Sequence, residues 1–439
     1  SGSTTSTRRE HDLMAVTAAL VTGTLPTTGY VDMTSPGFGT PDCAIVIASE
    51  ANTTNNPATH LNLSLGFVAA SDVCIGNRQR HGVTPTQAHR HFDNRAITIL
   101  SKTSAATEIQ YGGELISDGV RFTVETGSTS VQRYCQTMLL RGVKNIAQGT
   151  TTLTGTTPVA VSTGFRPTAV FVLNGANDSP PPFLGSGCMM SFGVVHWNNS
   201  GTRKQVCINY STVNSVQVST VNLSSWDNSC SKIYFENGSL IRTASAQSPT
   251  SSGFEFVAAE SANNYSLAWI AIELNNHDQF YLGTYSLSTS DNQQSFTGVG
   301  FQPTAMGLMS IRSLNINSAP GTPRGCVSLG MASGPSAQAS IVVCDRDLES
   351  QAKSLCSWDS ANVLNLRDDQ GIIDSIGALS QFGSNGFVID YSDRPNSSWK
   401  ILVWAIGADA SGGTAPTLSD LQAVNITSSS VRATYDYAF

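Results

Sequence analysis

The chain has 439 residues, a formal net charge of −7 and only 13% charged side chains, where about 25% is usual for a soluble protein. Its polarity comes from Ser, Thr, Asn and Gly instead, and no basic face capable of gripping phosphates is present, which argues against nucleic-acid binding. No apolar run approaches the roughly 18 residues of a membrane-spanning helix, so membrane insertion is not expected.

In chain order, residues 1–12 ("SGSTTSTRREHD") lack the apolar segment of a secretory leader and are expected to form a flexible arm on a chain made in the cytoplasm. Residues 13–147 carry four landmarks: "GFGTP" at Gly37, "HFDN" with Phe92 and Asp93, "SDGVRF" around Val120 and "QTMLLRGV" around Leu139. Residues 148–276 repeat them in the same order. They read "GFRP" with Phe165 and Pro167, "SWDN" with Trp226 and Asp227, "SSGFEF" around Phe254 and "SLAWIAIEL" around Trp269. Residues 277–410 repeat them again as "GFQP" with Phe301 and Pro303, "SWDS" with Trp358 and Asp359, "SNGFVI" around Phe387 and "KILVWAIGA" around Trp404. Four landmarks recurring in one order, at a period of about 130 residues, define three homologous units, the first of them the most diverged.

Within each unit the periodicity is that of strands. "GFEFVAA" and "GFVIDYS" alternate, while "CAIVIAS", "AVFVLNG" and "ASIVVCD" are short β-branched runs between turn formers. The expected fold is all-β, with three tandem antiparallel β-sandwich domains of about 130 residues each. Residues 411–439 read as a Gly-rich linker and a two-strand hairpin. Such a hairpin is marginal alone and must lean on the third domain or on a partner.

Candidate chemistry is sparse. No nucleophile elbow, phosphate-binding loop or zinc-protease motif occurs, so no catalytic, cofactor or metal residue is assigned and an enzyme is not expected. The echoed Asp93, Asp227 and Asp359 read as turn carboxylates bonding backbone N–H groups, with a ligand or ion contact as the alternative. "DRD" at Asp345–Asp347 and "RDD" at Arg367–Asp369 read as solvated loop charges. The odd count of nine cysteines argues against a disulfide framework, and Cys188, Cys207, Cys326 and Cys344 read as buried free thiols. Histidines concentrate early, at His60, His81, His89 and His91. His89 and His91 would share one face of an extended segment, as a metal pair or simply as part of a surface loop. Arg8, Arg9, Arg78, Arg80, Arg90 and Arg95, with His89 and His91, form a candidate docking surface for an acidic partner. The alternative is a merely solvated loop.

The "GF" strand followed by a W-x-A closing strand resembles the H-type lectin sandwich, which often assembles as trimers. That likeness implies a fold and carries over no sugar site. Tandem units with GF-x-P openings and W-x-A closings, across residues of about 13–410, are similar to virion proteins of tailed bacteriophages. They most resemble knob or decoration proteins of marine (cyanobacterial) short-tailed phages. The resemblance implies a non-enzymatic protein on the outer capsid surface, synthesised in the host cytoplasm and docked on the major capsid protein. Its alternative is a tail fibre or receptor-binding protein that recognises host surface glycans.

Overall fold

The computed structural model describes residues 15–407, apart from 52–57, 102–105, 128–132, 178, 218–220, 235–239, 260–263, 319–323, 347–349 and 352. The arm at 1–12 with Arg8 and Arg9, and the linker and hairpin at 411–439, lie outside the described residues. The fold is all-β and antiparallel, and one 3-10 turn at His277–Gln279 interrupts it.

The first stretch holds β1 (Thr17–Leu25), β2 (Tyr30–Thr34), β3 (Cys43–Ser49), β4 (Ala58–Thr59), β5 (Leu61–Val68), β6 (Asp72–Gln79), β7 (Ala88–Asp93), β8 (Ile97–Leu100), β9 (Thr107–Ile116), β10 (Gly119–Gly127) and β11 (Arg133–Arg141). The second holds β12 (Asn145–Leu153), β13 (Val159–Ser162), β14 (Ala169–Asn177), β15 (Phe183–Ser186), β16 (Cys188–Trp197), β17 (Arg203–Thr212), β18 (Val221–Trp226), β19 (Ser231–Tyr234), β20 (Leu240–Ala246), β21 (Gly253–Ala258) and β22 (Tyr265–Glu273). The third holds β23 (Phe280–Ser286), β24 (Gln293–Thr297), β25 (Pro303–Ser310), β26 (Arg324–Gly334), β27 (Ala337–Arg346), β28 (Leu355–Asp359), β29 (Leu364–Arg367), β30 (Ile373–Gly383), β31 (Gly386–Asp393) and β32 (Lys400–Gly407).

Each stretch contributes a large and a small sheet. The large sheets run β1-β11-β3-β5-β6-β7, β12-β22-β14-β16-β17-β18 and β23-β32-β25-β26-β27-β28. The small ones run β2-β10-β9-β8, β13-β21-β20-β19 and β24-β31-β30-β29. With β4 and β15 set aside, the three orders are one order.

The large sheets are buried on both faces, which explains their unbroken apolar runs. In β3, Ala44, Val46 and Ala48 face the small sheet, whereas Ile45 and Ile47 face a core built from all three stretches. In β14, Val170 and Val172 face inward to their own small sheet, and Phe171 and Leu173 face the common core. In β32, Val403 and Ala405 make the same division against Trp404 and Ile406. The molecule therefore has three private cores and one shared core. The small sheets have one covered face, and β21 shows it as buried Phe254 and Phe256 beside half-exposed Glu255.

Strand exchange ties the stretches together. β15 adds to the edge of β7, pairing Phe183 with Phe92 and Ser186 with His89. β4 adds to the edge of β28, pairing Thr59 with Leu355 and Ala58 with Cys356. From the third stretch, the Asn317 N–H donates to the Ser225 carbonyl of β18 at 2.9 Å. Each guest comes from the corresponding connection, after β3, β14 or β25. The second stretch thus clips onto the first, the first onto the third and the third onto the second, closing a ring around the shared core.

Two sequence expectations are corrected. Cys326 and Cys344 are not free thiols but a disulfide. The β26–β27 hairpin sets them directly opposite each other, with Cα atoms 4.0 Å apart. The other seven cysteines, Cys188 and Cys207 among them, are buried and outside any disulfide. The described charges of "DRD" and "RDD" are not solvated loops either, and Asp347 lies outside the described residues. Asp345 and Arg367 are buried at strand ends, and Asp369 pairs with Arg346 at 3.1 Å. The reason is that β27 ends where the three stretches meet. There the buried Tyr210 hydroxyl bonds both Asp345 (2.8 Å) and Gln79 (3.1 Å), joining side chains from all three.

Candidate functional site

The echoed aspartates hold turns in two of the three stretches. Asp359 accepts hydrogen bonds from the Ala361 N–H (2.8 Å) and the Asn362 side chain (2.9 Å). Asp93 accepts from the Asn94 N–H (2.8 Å), the Thr98 hydroxyl (2.6 Å) and Gln110. Asp227 is exposed and instead meets Asn317 of the third stretch, whose side-chain amide it accepts. The difference is one of register. Trp226 pairs with Cys207, whereas in the first and third stretches Asp93 pairs with Cys74 and Asp359 with Ser340. The second landmark is thus displaced by one position, and its aspartate falls outside the strand.

The described docking residues chosen from sequence lie along β6, β7 and the residues that follow them, with Arg78 opposite His89, but they differ in burial. Arg78 is fully buried, bonds the Ser101 carbonyl and is pushed down to about 10 by burial. Arg90 reaches across to the second stretch, bonding the Ser186 and Ala176 carbonyls and lying over the Phe183 ring. Arg95 pairs with Glu125 at 2.5 Å, and Arg80 with Gln87 at 3.1 Å. β7 is extended, so His89 and His91 do share a face. His91 lies 3.5 Å from Asp93, and burial lowers the pKa of both imidazoles. Among the described residues, no three His, Cys, Asp or Glu side chains cluster closely enough to hold a metal ion, and no helix is long and apolar enough to cross a membrane. Arg80 and Arg95 are the described members of the set that keep partial exposure without bridging to another stretch, while half-exposed His89 pairs with Ser186 of β15.

Three clefts open at the seams between stretches, a feature that sequence reasoning missed. Asp72, Asn94 and Gln148 line one of about 270 Å³ between the first and second stretches. Burial pushes the Asp72 carboxyl up to about 6 against a 2.7 Å bond from the Gly113 N–H. His196, Lys204, Tyr281 and Gly300 line one of about 280 Å³ between the second and third. A third, of about 880 Å³, opens where the third stretch meets the first, lined by Val16, Phe301, Gln302, Pro303, Ser333 and Phe382. Its walls mix aromatic and aliphatic surface with amides and hydroxyls, and none of the described residues that line it is charged. The available signal was the "GFQP" phrase, whose Phe301, Gln302 and Pro303 all reach this cleft.

The chain matches no protein-family model, and no curated protein sequence matches it.

Proposed function

We propose that this chain is a non-enzymatic structural protein of a phage virion. In this reading it is a knob or decoration protein, made of three tandem β-sandwich domains, that protrudes from the outer capsid surface and docks on the major capsid protein. The observation that carries the reading is the closed ring around a shared core, made by two exchanged strands, β4 and β15, and the Asn317 loop contact. Such a ring resists shear between domains, as a protruding knob requires, and its sparsely charged surface suits crowded assembly. Docking would use the N-terminal arm and the first domain, through Arg8, Arg9 and the partly exposed Arg80, His89 and Arg95. Electron cryomicroscopy of intact particles tests it. Density on hexamer or pentamer faces is expected, and density confined to the tail tip overturns the reading. Deleting residues 1–12 should lower occupancy on particles, and unchanged occupancy would sink arm-led docking.

A second reading, a tail fibre or receptor-binding protein for host surface glycans, is favoured by the 880 Å³ cleft. The half-buried Phe382 ring beside amides and hydroxyls is the kind of surface that sugars engage. A glycan array that shows no binding would remove it.

A further inference from the structure

Two of the three seams are crossed by the chain itself, between β11 and β12 and between β22 and β23. The third, between the third and first stretches, is bridged by no described segment of chain. Side-chain bonds cross it, from Gln136 to the Leu329 carbonyl (3.0 Å) and from the Leu20 N–H to the Ser333 hydroxyl (2.8 Å), and its strand pairing is β4, whose two residues pair with β28. A pair of histidines extends that short clip. The His60 N–H donates to the Ser354 carbonyl at 2.9 Å, and the His81 N–H donates to His60 Nδ1 at 2.9 Å. His81 Nδ1 lies 3.2 Å from the same Ser354 carbonyl. A carbonyl only accepts, so His81 Nδ1 carries its proton. His60 Nδ1 receives a backbone N–H, so it must hold a lone pair. The two tautomers are therefore fixed by the bonds they make.

An imidazolium has no acceptor nitrogen. Protonated His60 would point an N–H at the His81 N–H, and the bond would become a repulsion. We propose that this clip is an acid-sensitive closure, in which protonation of His60 releases β4 from β28 and opens the seam between the third and first stretches. The charged groups facing the pair are Arg80, adjacent to His81, Lys353 on the approach to β28, and Asp345, whose carboxylate is 3.5 Å from Ser354 Oγ. Burial and Lys353 hold the His81 imidazole below its ordinary pKa, so a second positive charge is resisted at the same place. His89 and His91 beneath β15, and His196 against Phe280 with ring centroids 5.3 Å apart, put imidazoles at the other seams too. Those seams are held by continuous chain, which leaves the β4 clip as the first to yield.

Amide hydrogen exchange of the full chain, corrected for the intrinsic effect of pH, tests this between pH 7.5 and 5.0. Peptides covering β4 and β28 should exchange about tenfold faster at the lower pH, while β3 and β11 keep their protection. The variant His60→Asn retains an oxygen acceptor, does not titrate and tolerates the left-handed backbone at this position (φ 87°). Its acceleration should fall below about twofold. The same acceleration in His60→Asn as in the wild type overturns the proposal. So does uniform loss of protection across all three stretches. A titration of the wild type alone is a second check. A midpoint in the imidazole range supports the closure, and one in the carboxylate range overturns it.

Discussion

Trp269 and Trp404 close the second and third stretches with nearly the same phrase, yet they do different work. Trp269 pairs with Val172 and packs in the private core against Phe254. Trp404 pairs with Gly307 and packs in the shared core, edge-on to Phe171 of the second stretch at 5.3 Å. The strands themselves are equivalent, since Ile272 opposes Ala169 as Ile406 opposes Ala305. The tryptophan has moved by one residue, and in a strand one residue is a change of face. A repeat can therefore keep a motif in sequence and redirect its largest side chain from holding one pair of sheets to holding three.

Truncation is the strongest way to break this comparison. Trp→Ala in a packed core costs about 3–5 kcal/mol. Trp269→Ala should lose that amount mainly from the second stretch, seen as faster amide exchange in β12–β22. Trp404→Ala should lose it from the joint between stretches, with faster exchange in β14 and β16 as well as in β25 and β32. If both variants loosen only their own stretch, the shared core does not couple the three.

What the sequence made legible follows from what a strand writes into it. The small sheets alternate because one face is covered, so "GFEFVA" at β21 reads correctly as a strand with a buried side at Phe254 and Phe256. The large sheets read only as apolar runs, because both faces are covered, and a run does not say by what. Nothing in "CAIVIAS" separates Ile45, in the shared core, from Val46, in the private one. The ring was illegible for a related reason. Its guest strands are two and four residues long and its third link is the loop residue Asn317, and a strand as short as Ala58–Thr59 has no period of its own. Part of the docking set is turned inward, because clustered Arg and His in sequence can be drawn inward wherever a carbonyl is within reach. Arg78 and Arg90 both bond backbone carbonyls.

Acid sharpens the comparison at the seam between the second and third stretches. Burial pushes the His196 imidazole down to about 4, with its Nδ1 held 3.1 Å from the Thr168 carbonyl. In the unfolded chain the same group protonates near the ordinary imidazole value, about 6.5. Between those values the unfolded state binds more protons, so stability falls as pH drops below about 6.5 and levels off below about 4. The full effect is about 3 kcal/mol. Denaturant melts across this range should show the slope in the wild type and a shallower one in His196→Gln. An unchanged slope would assign the acid sensitivity to other groups.

The Cys326–Cys344 bond separates the third stretch from the other two, where no corresponding bond occurs among the described residues. A loop of this size closed by a disulfide gains about 3 kcal/mol at most in the chain-entropy account. A hairpin already paired in β26 and β27 should gain less. The double variant Cys326→Ser, Cys344→Ser should lower the denaturation midpoint by about 1–2 kcal/mol in equivalent stability. Reductant should produce the same loss in the wild type and none in the variant. A loss in the variant that reductant does not reproduce would point to packing rather than the bond.

The smallest expected effect tests whether the opening phrases are one device. Gly37, Gly164 and Gly300 all have left-handed backbones, with φ of 79°, 82° and 92°. A Cβ built on any of them meets nothing within 4 Å. Crowding is therefore absent, and the backbone angle alone calls for glycine. Each Gly→Ala substitution should cost about 1–2 kcal/mol, the left-handed penalty of an L-residue, and by nearly the same amount at all three positions. If Gly300→Ala costs distinctly more than Gly164→Ala, the difference belongs to the large cleft, which Gly300 lines beside Phe301 and Gln302. Equal costs would mark the phrase as a strand entry repeated three times, with whatever the cleft binds added by the neighbouring stretch.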